Sequence, residues 1–139
     1  MRRTALGLGV ILVVATLAGC SYDAPFDEGS LDALHAAVLD QGLRVCHEDT
    51  ADRDLPGEIE TTTFVLAFDC DSDDTAFMAA TEFDDRAARD GAVSQLDVRQ
   101  MNRAGEAWAY GPFAVVLSGP RDDAVTDATV EALDEVGAH

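Results

Sequence analysis

Residues 61–70, TTTFVLAFDC, constrain the fold more than any other stretch of the chain. Their side chains alternate with a period of two. Phe64, Leu66, Phe68 and Cys70 fall on one side of a predicted strand, with threonines and a valine on the other. A strand with one apolar face needs sheet neighbours and a covering layer. The segment also ends on a cysteine. Besides Cys20, the chain holds only Cys46 and Cys70. In an oxidising compartment such an even pair reads as a disulfide, with two free thiols or a metal site as the alternatives. Only His47 lies close by and no CxxC spacing exists, which argues against zinc.

Ser30 predicts the N-cap of a first helix running to about Gln41, with Gly42 as its stop. Leu31, Leu34, His35 and Val38 form its inner stripe. Leu43 to His47 reads as a short strand, and Asp49 to Glu60 as an acidic loop turning at Pro56-Gly57. Residues 75–83 suit either strand or helix. Strand is preferred, because a continuous helix would bury Asp84 and Asp85 on its face, whereas those acids suit the start of a helix from Asp84 to about Leu96. Residues 97–106 form a connection with a weak strand. Ala107–Tyr110 and Phe113–Ser118 are the last strands, joined at Gly111-Pro112. Pro120 to Val136 is the final helix, ended by Gly137. The pattern predicts an α+β fold: an antiparallel sheet of about four to five strands with helices packed on one face, in one disulfide-linked domain over residues 30–139.

The first twenty residues read as an address. Arg2 and Arg3 precede an uncharged apolar stretch, Leu6 to Leu17, too short to span a membrane. The segment closes on Leu17-Ala18-Gly19-Cys20, which looks like the lipobox of bacterial lipoproteins. That resemblance implies a signal peptide over residues 1–19, cleavage before Cys20 and acylation of its sulfur. Residues 20–29 then form the lipidated cysteine and its tether. Two acyl chains at roughly 0.8 kcal/mol per buried methylene hold a protein stably on a bilayer. The residues after Arg2-Arg3 do not follow a twin-arginine signal, so general secretion is expected.

Two of the nine basic residues lie in the signal segment, and all nine are arginines. The remaining 120 residues carry seven basic and 27 acidic side chains, a formal charge of about −20. Nucleic acid would repel such a domain, and self-association is opposed, so a monomer is expected.

Few residues hint at chemistry. Asp69, Asp71, Asp73 and Asp74 crowd the end of the main strand. The DxDxT signature of haloacid-dehalogenase phosphatases fails, because Asp73 stands where threonine belongs and the chain has no lysine. An EF-hand fails too, with Asp74 at the glycine position and Ala80 at the glutamate position. These four aspartates remain weak candidates for a cation, and turn chemistry explains them more simply. The three histidines lack the setting of a nucleophilic triad, and His35 falls on an apolar helix face. Trp108, Tyr110 and Phe113 are candidate binding aromatics, with burial in the core as the simpler role.

Taken with the lipobox and the cysteine pair, the segments EFDDRAARDGAV and WAYGPFAVVLSGPRDDAV resemble small lipoproteins of the high-GC Gram-positive (actinobacterial) type. The resemblance implies an extracytoplasmic, lipid-anchored protein and carries no activity. The expected function is a non-enzymatic, membrane-tethered envelope module without cofactors. It would contact membrane lipid through Cys20 and an envelope protein or other component through its domain. A small-ligand or cation-binding accessory lipoprotein for transport or sensing is the alternative.

Overall fold

Ser30 opens the first helix as its side chain suggests. Its backbone is extended (φ −137°, ψ 148°) and its hydroxyl accepts from the Ala33 amide. The computed structural model describes residues 25–52, 57–100, 105–120 and 122–139. The signal segment, Cys20 and the tether up to Ala24 lie outside the described residues.

The elements run α1 (Leu31–Asp40), β1 (Arg44–Asp52), β2 (Glu58–Ala67), β3 (Ala76–Phe83), α2 (Arg86–Gln100), β4 (Gly105–Tyr110), β5 (Phe113–Ser118) and α3 (Ala124–Glu135). The strands form one five-stranded sheet in the order β1-β2-β3-β5-β4, with every neighbouring pair antiparallel. This is the expected α+β architecture, and the ambiguous segment 75–83 is a strand.

Alternation places Phe64 and Leu66 of β2, Ala76, Met78 and Ala80 of β3, Val115 and Leu117 of β5, and Trp108 and Tyr110 of β4 in one buried cluster. Leu34 and Val38 of α1 and Val125, Ala132 and Leu133 of α3 complete it. Fully burying a side chain such as Leu66 contributes about 1.5–3 kcal/mol, so this face dominates stability. The remaining helix corrects the expected packing of all helices on one face: no described α2 side chain belongs to the cluster, and α2 packs on the opposite side, against β4, β5 and part of β3. Ala109 and Ala114, paired across those strands on the other side of the sheet, are buried there. Their small side chains let the helix approach.

Several boundaries depart from the sequence reading: β2 spans Glu58–Ala67, so that Phe68, expected inward, lies past its end and is exposed, and α2 continues to Gln100. The first strand does not stop at His47 but continues to Asp52, through the stretch expected to be an acidic loop. β1 is an edge strand, so Glu48, Asp49 and Asp52 stay solvated while the backbone pairs with β2. The Thr50 and Thr62 hydroxyls bond across the pair at 3.1 Å.

The last helix begins at Ala124 rather than Pro120. Asp122 sits at φ 58°, a left-handed conformation that no helix accommodates. Asp123 then caps the helix, its carboxylate accepting from the amides of Val125 (3.1 Å) and Thr126 (3.4 Å). Asp123→Ala is therefore expected to cost about 1 kcal/mol, read as a lower urea midpoint with an unchanged denaturant slope.

Candidate functional site

The acidic segment 69–74 is a turn built from its own side chains. Asp69 O accepts from the Ser72 amide at 3.0 Å, and its carboxylate accepts from the Asp71 amide at 3.1 Å. The Ser72 hydroxyl accepts from the Asp74 amide, also at 3.1 Å. These are the local side-chain bonds that suit aspartate and serine to turns. Among the described residues, no three His, Cys, Asp or Glu side chains come together as a set that could hold a metal ion.

Cys70, inside this turn, is bonded to Cys46, with the two Cα atoms 5.4 Å apart. The cysteines do not face each other across a regular hairpin. Val45 opposes Leu66 and His47 opposes Val65, so Cys46 is the extra residue of a bulge. Cys70 lies beyond Ala67, the end of β2. The register is set by the need to keep Phe64 and Leu66 inward, and the bulge aims the Cys46 side chain at the turn.

The candidate aromatics serve the core. Trp108 is 9 % exposed, and Tyr110 and Phe113 are buried with it in the main cluster. The Tyr110 and Phe113 rings stack with centroids 6.2 Å apart. None presents a face for stacking on a sugar or partner. The Tyr110 hydroxyl instead reaches Ser30, accepting from its amide and donating to its carbonyl, each at 3.1 Å.

That contact belongs to a junction where the N-terminal segment crosses the end of the sheet. Arg89 of α2, only 3 % exposed, donates to the Gly111 carbonyl in the β4–β5 turn. Its Nε and Nη2 both donate to one oxygen of Asp90, at 2.9 and 2.7 Å. The guanidinium lies over the Phe26 ring, 5.4 Å from its centroid. Gly29 packs directly on the Gly111 backbone. Sequence reading gave Arg89 no part in a site. Its burial had no local signature, since arginine is ordinarily a surface residue.

The surface with the character of a contact site is the outer side of β1, β2 and β3, beside the strands on which α2 packs. Phe77 projects there, 51 % exposed, between the half-buried Val65 of β2 and the exposed Ser118 of β5. Val116 and Ala79, paired one step along, are also only half-buried. Sequence reading passed over Phe77. Its signal was the alternation within AFMAATEF, where Ala76, Met78 and Ala80 face in and a phenylalanine remains on the opposite side.

The histidines stand apart. His35 is half-buried on α1, and His47 is exposed on the β1 edge. His139 exchanges two backbone hydrogen bonds with Ala109 on β4, at the opposite edge of the sheet. Four strand spacings separate those edges, about 19 Å. Among the described residues no helix is long and apolar enough to cross a membrane. Comparison with protein-family models, curated proteins and solved structures gave no match.

Proposed function

We propose that this chain is an extracytoplasmic lipoprotein, anchored through acylated Cys20, whose domain is a non-enzymatic module that binds a protein or other component of the cell envelope. The observation that carries the reading is the N-terminal arrangement of Arg2-Arg3, an apolar stretch, and Leu17-Ala18-Gly19-Cys20. The half-exposed Phe77 on an otherwise strongly acidic domain supports the contact role, because large apolar side chains on open sheet faces mark interaction surfaces. Dispersal of the histidines over α1, β1 and the C-terminal residue fits binding better than acid–base chemistry.

Cys20→Ala is expected to abolish lipid labelling and to release the protein from washed membranes. Retention of that variant would sink the anchor. In cells, a photo-crosslinker at position 77 is expected to give a discrete adduct that the same group at Asp127 on α3 does not. Identical patterns from both positions would remove the contact role from this face. The acylated protein's isolated domain is expected to sediment as a monomer at low salt and micromolar concentration, because its charge opposes self-contact.

A further inference from the structure

The last five residues of the tether and Ser30 are not free. Pro25 accepts a backbone bond from Glu28 at 3.0 Å, closing a turn that sets Phe26 against the Arg89 guanidinium. Gly29 lies so close to the β4–β5 turn that a Cβ there would sit 2.6 Å from the Gly111 Cα, a backbone atom that cannot yield. Ser30 is bonded through both backbone groups to the buried Tyr110 hydroxyl. The three anchors act on one short segment and all reach the same end of the sheet.

We propose that residues 25–30 form a strap that fixes the attitude of the domain on the bilayer. The end built from the β4–β5 turn, the start of β2 and the start of α2 faces the membrane, and the acidic turn with the Cys46–Cys70 bridge faces away. The inference rests on acylation of Cys20 as proposed above.

The geometry follows from chain lengths. With the strap docked, only residues 21–24 separate Cys20 from Pro25, and five Cα steps span at most about 18 Å. β2 runs from Glu58 at the strap end to Ala67 beside the acidic turn, roughly 30 Å at the rise of a strand. A leash shorter than the domain forbids inversion. A free leash to Ser30 would reach about 35 Å and permit it.

The test uses the full-length acylated protein on vesicles of anionic and zwitterionic phospholipid that carry a headgroup nitroxide quencher. A fluorophore is attached at Ile59→Cys near the strap end or at Asp73→Cys in the acidic turn, both exposed positions. Quenching at position 59 is expected to exceed that at 73 by about threefold or more, since the two differ in height by most of a strand length. Two variants should shrink that ratio toward one while the protein stays on the vesicles. Gly29→Val lifts the strap from Gly111, and a flexible Gly/Ser insertion between Asp23 and Ala24 lengthens the leash without touching the fold. Equal quenching at both positions in the parent protein, with the protein retained, overturns the strap and leaves the anchor standing. An unchanged ratio in the insertion variant also overturns it. Protein that washes off the vesicles overturns the anchor, and the strap's role with it.

Discussion

Reduction of the Cys46–Cys70 bridge is expected to lower the melting temperature by roughly 10–20 °C. The bond closes a loop with a sequence separation of 24 residues. On the chain-entropy estimate such a loop contributes about 3 kcal/mol, a large share of the ~5–15 kcal/mol that holds a whole domain. The loss should also be localised. β1 is an edge strand, mostly exposed, paired only with β2 and broken by the bulge at Cys46. Its link to the 69–74 turn is the bridge itself. Without the bridge, amide exchange should accelerate first in residues 44–52, while β3 and β5 at the centre of the sheet stay protected. Thermal melts and hydrogen exchange with and without reductant measure both effects. Free alkylation of both thiols in protein purified from an oxidising compartment would overturn the bridge, and uniform loss of protection would overturn the localisation.

Arg89→Ala should destabilise the domain by about 3 kcal/mol, and most of that should not come from its ion pair. Asp90 is 54 % exposed, and a carboxylate so placed is rehydrated when its partner is removed. Asp90→Asn is therefore expected to cost no more than about 1 kcal/mol. The Gly111 carbonyl is different. It lies in a buried turn, and loss of its donor leaves an acceptor without water, at about 1–3 kcal/mol. Lost packing against Phe26 adds to this. Arg89→Met restores much of the volume but not the donor, so it should recover only part of the loss. Urea unfolding of the three variants separates the terms. A cost for Asp90→Asn equal to that for Arg89→Ala would show that the ion pair dominates after all.

Local chemistry alone determined a good part of this protein. Ser30 and Gly42 bound α1, Asp85 starts α2 by accepting from the Ala88 amide, and Gly137 ends α3, because capping involves only residues a few positions apart. The period of two in TTTFVLAF named the inward Phe64 and Leu66 but also placed the exposed Phe68 with them, and the isolated cysteine pair named its own bridge. The length of β1 was decided elsewhere: an acidic stretch becomes a strand when a partner such as β2 pairs its backbone and water still reaches its carboxylates. Burial was the simpler role for Trp108 and Tyr110, and the packing of α1 and α3 on their side of the sheet decided it. Arg89 and Phe77 exchanged the places that their types suggest. The arginine is buried because a carbonyl 22 residues away needs a donor, and the phenylalanine is exposed because α2 packs over β4, β5 and part of β3 and leaves the Phe77 end of that face uncovered. Such outcomes depend on contacts between residues distant in the chain, which no local pattern encodes.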